Sequence, residues 1–204
     1  FDFVAFATIA DIVPLLDENR YLVQKGLRLF APNCENKRDI FAKLIEVAGL
    51  NDKAITSESI GFQLAPRINA IGRIDSAEVA VEYFNFAKDE RISELAILLN
   101  KKNEERKVIE NNLFEEVKKQ VPPPEECEQF TIVIADDRIH TGVKGLIASK
   151  METLYKRPII ICNVEDGYLE GSCRSTIDGF DMKKALDYCA DLLVKYGGHT
   201  HAAG

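Results

Sequence analysis

Hydrophobic residues fall into blocks along this chain, and their spacing sorts the blocks into elements. Phe1 to Ile9 (FDFVAFATI) is an apolar run of strand length and reads as a buried strand. Asn19 to Phe30 is apolar at Leu22, Val23, Leu27 and Phe30, an amphipathic helix. Arg38 to Gly49 gives a shorter helix through Ile40, Phe41, Leu44, Ile45 and Ala48, with Gly49 as its cap. The next stretch, SIGFQLAPRINAIGR, is punctuated by Pro66 and Gly72 and reads as a loop. Asp75 or Ser76 then caps a helix through Val79, Ala80, Tyr83 and Phe84.

Asp89 to Gln120 reads as one long helix, apolar at Ile92, Leu95, Leu99, Ile109, Leu113 and Val117, with a polar centre, NKKNEERK. At about 1.5 Å per residue it reaches roughly 45 Å. That pattern predicts a bridge between two lobes, solvated in the middle and packed at its ends. Prolines 122–124 end it. Beyond them the pattern is β-α-β-β-α: strands at Phe130 to Ala135, Pro158 to Asn163 and Tyr168 to Ser172, a helix after Gly142, and a final helix. That last helix carries an apolar stripe at Met182, Ala185, Leu186, Cys189, Leu192 and Leu193, and Asp178 to Asp181 supplies its acidic start.

Composition changes this picture little. Of 204 residues, 46% are hydrophobic and 29% charged, as in an ordinary globular protein. No stretch approaches the roughly 20 apolar residues of a membrane span. The opening stretch has no basic leader and resembles neither a signal nor a transit peptide. An opening strand without an initiator Met, and a stop at Gly204 straight after a loop, point to a piece of a longer protein. Five cysteines without a C-x-x-C pair read as reduced packing residues of a cytoplasmic protein. A net charge of −7 argues against a non-specific nucleic-acid coat but leaves room for a local basic groove.

Chemistry concentrates in four places. GSCRS (Gly171 to Ser175) offers the hydroxyls of Ser172 and Ser175 and the Arg174 guanidinium. GGHTHAAG offers Gly197 and Gly198, which let backbone approach a ligand, beside His199 and His201. Such groups suit an anionic, phosphate-bearing ligand. The same residues also fit a helix cap followed by a surface loop. His140 stands before a helix N-terminus, where amides attract anions, or is a turn residue facing water. Arg67 and Arg73 bracket Asn69 and suit phosphate contact or ordinary salt bridging. Asp11 follows the opening strand, where open α/β sheets place ligand chemistry, or simply caps a turn.

Several of these phrases resemble a known family. GS-x-RS followed by GGH-x-x-AAG looks like the DHH-associated domain of the DHH phosphoesterase superfamily. TIADIVPL, GFQLAPRINAIGR and IHTGVKGLIASKM resemble motifs of its RecJ family of single-strand-specific 5′-to-3′ exonucleases. The resemblance runs in order along essentially the whole chain. It departs at Cys173, where glycine is usual, and at Ile139, where tryptophan is usual. The upstream DHD and DHH motifs that supply most metal ligands are absent.

The resemblance implies an α/β fold: the C-terminal part of a DHH domain (residues 1–87), a long connecting helix (88–121) and a DHH-associated, substrate-binding domain (122–204). It implies a hydrolase of DNA repair and recombination acting by metal-assisted phosphodiester cleavage. Mn²⁺ or Mg²⁺ would sit in a two-metal site to which this chain gives Asp11, the rest being absent from it. Asp11 and His199 are the implied catalytic residues. Arg67, Asn69, Arg73, His140, Ser172, Arg174, Ser175, Gly197, Gly198 and His199 are the implied substrate contacts, without a choice between Arg67 and Arg73 for the phosphate. Single-stranded DNA with a 5′ phosphate is the implied substrate, gripped in a groove between the lobes, with a single-strand-binding protein or a helicase as partners and no membrane. The chain alone is expected to be inactive. Two other readings stand beside it: a small DHH phosphodiesterase acting on oligoribonucleotides or cyclic dinucleotides, and a non-catalytic replication or repair scaffold.

Overall fold

The computed structural model describes all residues except 32–33, 35–37 and 86–89. The start of the long helix at Asp89 and the expected boundary at 87/88 lie outside the described residues. The chain forms two compact units, Phe1–Arg106 and Lys107–Gly204.

Every element assigned among the described residues of the first unit is helical. They include α1 (Asp2–Ala10), α2 (Asp17–Leu27), α3 (Asp39–Val47), α4 (Ser57–Ser59), a π-helical turn (Ile60–Leu64), α5 (Ala65–Ile74), α6 (Glu78–Asn85) and the start of α7 (Glu90–Lys118). Two sequence expectations are corrected here. Phe1 to Ile9 is not a strand. A nine-residue apolar run fits either a strand or a buried helix, and its neighbours decide. Asp2, Ala5, Phe6 and Ile9 are the buried residues, at helical spacing. Asp2 accepts from the Phe3 amide at 2.9 Å and pairs with Arg38 at 2.7 Å.

The second correction concerns Leu64 to Arg73, which is not a loop. Pro66 sits in the first turn of α5, where its missing N–H costs nothing. Gly72 is tolerated inside the helix. Thr56 starts the segment with a capping box: its Oγ1 accepts from the Ser59 amide, and the Ser59 hydroxyl accepts from the Thr56 amide.

An aromatic cluster organises this core. Phe41 meets Phe30 at 4.8 Å, Phe3 at 5.2 Å and Phe6 at 5.4 Å between ring centroids. Tyr83, fully buried, donates its hydroxyl to the Ile40 carbonyl. Burial pushes that hydroxyl well above the usual tyrosine range.

Helix α7 runs for 29 residues, and the division between units falls inside it. Ile92, Leu95, Ala96 and Leu99 belong to the first core. Val117 belongs to the second, with Ile109, Leu113 and Phe114 packed against it. The polar centre is not wholly solvated: Asn103 is 1% exposed and accepts from Arg106 at 2.9 Å.

The second unit is a four-stranded sheet in the order β1 (Ile132–Ala135), β2 (Ile159–Glu165), β3 (Tyr168–Arg174), β4 (Ala202–Ala203). β1 pairs with β2 in parallel through the crossover helix α8 (Lys144–Tyr155), and the other pairs are antiparallel. Asp166 and Gly167, both at positive φ, close the two-residue β2–β3 hairpin. Ile132, Ile134, Ile159 and Ile161 pack against Val143, Ile147, Ala148 and Met151.

The final helix departs from expectation. α9 covers only Met182–Tyr188, and a 3₁₀ turn follows at Ala190–Leu192. Met182 is buried, but Leu192 is 85% and Val194 88% exposed. The apolar stripe therefore packs at its first end only. The glycine-histidine stretch is not a free loop. It folds back on itself and supplies β4.

The tightest crossing in the first unit depends on Gly26. A Cβ there would lie 2.4 Å from both the Ala5 Cβ and the Phe1 carbonyl oxygen. Gly26→Ala is expected to destabilise the fold by about 2 kcal/mol or more, because the backbone itself would have to move. Urea unfolding monitored by circular dichroism checks this.

Candidate phosphate site

The site in the second unit is built where α8 begins against β3. Ser172 and Arg174 are two residues apart on β3, so they share one face. Gly145, in the first turn of α8, meets that face. A Cβ on Gly145 would lie 3.0 Å from Arg174 Nη2 and 3.6 Å from Ser172 Oγ. The amides of a helix's first turn lack intrahelical acceptors and carry the positive end of the helix dipole.

Arg174 is half-buried, and burial pushes its guanidinium below the usual arginine range, though it stays charged. Its Nη1 donates to the Cys173 carbonyl at 2.7 Å. Among the described residues no carboxylate lies within ion-pair distance of it.

Lys144 is buried at the same helix start. Its Nζ donates to Asn163 Oδ1 at 2.9 Å and pairs with Glu170 at 2.7 Å. That hydrogen bond holds the Glu170 carboxyl below its usual range, helped by a 3.1 Å bond from the Thr141 hydroxyl. His140 is exposed; its Nδ1 accepts from the Gly142 amide at 3.1 Å, leaving Nε2 to carry the proton in the neutral ring.

The glycine-histidine stretch forms a narrow hairpin. Gly197 and Gly204 exchange N–H to carbonyl bonds of 2.8 and 2.9 Å, and the His199 amide donates to Ala202 at 2.8 Å. β4 then pairs with β3, placing Ala202 opposite Arg174. The GSCRS and GGHTHAAG stretches are thus joined in one sheet. His199 is exposed at the hairpin's turn. His201 Nδ1 donates to the Ser175 carbonyl at 3.1 Å. Ser175 is fully buried, and its hydroxyl accepts from the Ile177 amide at 3.3 Å, so it shapes the turn after β3.

Cys173 replaces no needed space. It faces away from α8, buried against Met182 and Ala203. Burial raises its thiol to about 11.

The remaining candidates lie in the first unit. Asp11 is the exposed C-cap of α1, not the end of a strand. Ile12 beside it is 88% exposed with φ at 56°, a left-handed conformation that a β-branched residue rarely adopts. Arg67 is buried. Its Nε donates to Asn100 on α7 at 2.9 Å and its Nη1 to the Gln63 carbonyl, so it ties α5 to α7. Asn69 is exposed and Arg73 half-buried, four residues apart on one face of α5. Among the described residues no group of three or more His, Cys, Asp or Glu could hold a metal ion. Asp11 does not make a metal site with its described neighbours.

Sequence reasoning missed Gly145, Lys144 and Glu170. The only signal was their place in GVKG and LEG, beside residues already singled out.

Residues 128–204 match the DHHA1 domain, so the second unit carries that domain. Along its whole length the chain is 37% identical to the single-stranded-DNA-specific exonuclease RecJ of Bacillus subtilis and 34% identical to that of Thermus thermophilus. It spans 25% and 28% of those relatives. The crystal structure of RecJ in complex with Mn²⁺ from Thermus thermophilus superposes with a TM-score of 0.86 at 32% identity, over 100% of this chain and 29% of that one. A structure of exonuclease RecJ bound to manganese gives 0.78 at 31% identity, over 99% of this chain and 49% of that one. The chain matches RecJ exonucleases along its whole length, as a stretch of about a quarter to a third of its curated relatives' length.

The hairpin that presents His199 depends on Gly198. Its φ is 138°, and a Cβ there would lie 2.4 Å from the Ala203 Cα. Gly198→Ala is expected to cost about 1–3 kcal/mol and to open the hairpin. Faster amide hydrogen exchange at His199 and Gly204, against unchanged exchange in α8, checks it.

Proposed function

We propose that this chain is part of a single-strand-specific 5′-to-3′ DNA exonuclease, a metal-assisted phosphodiesterase of DNA repair and recombination, acting in the cytoplasm. The observation that carries this reading is Arg174: a half-buried guanidinium with no carboxylate partner among the described residues, beside Ser172 and the first turn of α8. That arrangement lacks one thing, an anion. A terminal phosphate fits it, with charge-assisted bonds from Arg174, a hydroxyl bond from Ser172 and amides from α8. The names of the relatives supply the substrate class, single-stranded DNA.

The other candidate residues take roles within their own units. His140 and His199, both exposed, offer ring nitrogens to the strand, and His199 is the candidate beside the scissile phosphate. Gly198 allows the close hairpin that presents it, and Gly197 closes that hairpin through its paired backbone bonds with Gly204. Asn69 and Arg73, four residues apart on one face of α5, are backbone-contact candidates, and Arg67 is held by Asn100 and Gln63. Asp11 contributes one carboxylate to a Mn²⁺ or Mg²⁺ site whose other ligands this chain's described residues do not supply. A single-strand-binding protein or helicase remains the proposed partner class.

Two outcomes are expected. In fluorescence anisotropy with a short single-stranded DNA, a 5′-phosphorylated strand should bind about tenfold more tightly than its 5′-hydroxyl counterpart, roughly one charge-assisted bond. Arg174→Ala should abolish that preference, and affinity should fall with salt by about 0.7 decade per decade for each phosphate contact. Equal binding of both strands by the wild type would overturn the reading. Separately, the purified chain should release no nucleotides from 5′-phosphorylated single strands with Mn²⁺ present, because one carboxylate cannot hold two metals. Mn²⁺-dependent release, free of contaminating nuclease, would contradict this.

A further inference from the structure

Helix α8 meets the run of residues along β3 at three places. Lys144 reaches Glu170. Gly145 lies against Ser172 and Arg174. Two turns further along, Glu152 reaches past the strand's end to Thr176. Its Oε1 accepts from the Thr176 amide at 3.1 Å and also from the Thr176 hydroxyl. Lys144, Ala148 and Glu152 are spaced four apart along one buried face of α8. The phosphate clamp therefore sits between two polar clasps.

The Glu152 clasp stands out on energetic grounds. Glu152 is 4% exposed, and among the described residues no cation lies within ion-pair distance of it. A buried carboxyl is costly unless it is hydrogen-bonded. If this position only filled space, an apolar residue like its neighbours Ile147 and Met151 would serve better. Glu152 instead ties down a particular point of the chain.

That point matters because Arg174 is the last residue of β3. Its side chain bonds to its own strand's carbonyl and has no bond to α8. Where the guanidinium stands relative to the first turn of α8 therefore depends on how the strand end is held. Within the sheet the strand end is held by Ile159 and Ala202 opposite Arg174 and by His201 at Ser175; Thr176, exposed just beyond it, is where this end is tied to α8.

We propose that Glu152 is a positioning residue. By accepting from both donors of Thr176 it fixes the end of β3 against α8, and with it Ser172 and Arg174 against the helix's first turn. The proposal rests on the reading of Ser172 and Arg174 as a phosphate clamp.

The test is anisotropy of the 204-residue chain with the same 5′-phosphorylated and 5′-hydroxyl strands, in the wild type and in Arg174→Ala, Glu152→Gln, Glu152→Leu and Thr176→Val. Gln keeps an acceptor oxygen, Leu fills space without one, and Val removes only the hydroxyl. Glu152→Gln should keep the phosphate preference within about twofold. Glu152→Leu and Thr176→Val should reduce it about three- to tenfold, the loss of one or two partly buried hydrogen bonds. Binding of the hydroxyl strand should change less than about twofold. Thermal melting establishes that each variant folds, and Thr176→Val, at an exposed residue, decides the matter if Glu152→Leu does not. A wild type without preference, or one unaffected by Arg174→Ala, overturns the clamp and this proposal together. A preference abolished by Arg174→Ala but kept at the wild-type level by Thr176→Val and by every folded Glu152 variant leaves the clamp standing and overturns the role of Glu152.

Discussion

Arg174 carries a full positive charge at a half-buried place, and the described residues bring no carboxylate to it. Two further positive features lie nearby. The first turn of α8, the positive end of the helix dipole, lies against the same face at Gly145, and Lys144 is buried in that turn. Glu170 neutralises Lys144 and leaves Arg174 and the helix end unanswered. The chain as a whole carries a net charge of −7, so this local excess is not a reflection of composition. A cation desolvated without a partner raises the free energy of the fold. An arriving phosphate would relieve that cost, and a hydroxyl-ended strand would do so less well.

Gly145 sets the geometry of that place. A Cβ there would lie 3.0 Å from Arg174 Nη2, so the glycine leaves room for the guanidinium between helix and strand. This was only partly legible in the sequence. GSCRS announced Ser172 and Arg174 through residue type alone. Nothing in the spacing of GVKG told that its second glycine would meet them, because the contact joins residues 29 apart, Gly145 and Arg174, through the sheet. The hairpin of Gly197 to Gly204 was legible as glycine-rich but not as a strand. Two residues of β4 are too few for a period to show.

The first unit was misread where sequence has least to say. A nine-residue, mostly apolar stretch at the start satisfies a strand pattern, and the helix shows only in the fold, where Asp2, Ala5, Phe6 and Ile9 are buried and Gly26 packs against Ala5 and Phe1. Pro66 and Gly72 marked a loop by residue type, yet a proline in the first turn of α5 is harmless and the helix runs on. The consequence for Asp11 is chemical. It caps a helix rather than ending a strand, and the exposed, left-handed Ile12 after it is a strained neighbour. Strain of about 1–3 kcal/mol at such a position persists only where the surroundings demand it.

Helix α8 shows why buried charge escapes pattern reading. Lys144 and Glu152 sit eight residues apart on its inward face, where a periodicity argument expects apolar side chains. Read as polar, they blur the helix's buried stripe. In the fold each finds a partner on the strand run, Glu170 for one and Thr176 for the other. Apolar contacts among Val143, Ile147 and Met151 hold the helix on the sheet, but such contacts are non-directional and tolerate small slides. Hydrogen bonds at both ends of the contact do not tolerate them. Directional bonds are therefore most valuable where the helix must stand at one fixed position relative to β3, and Ser172 and Arg174 lie between them.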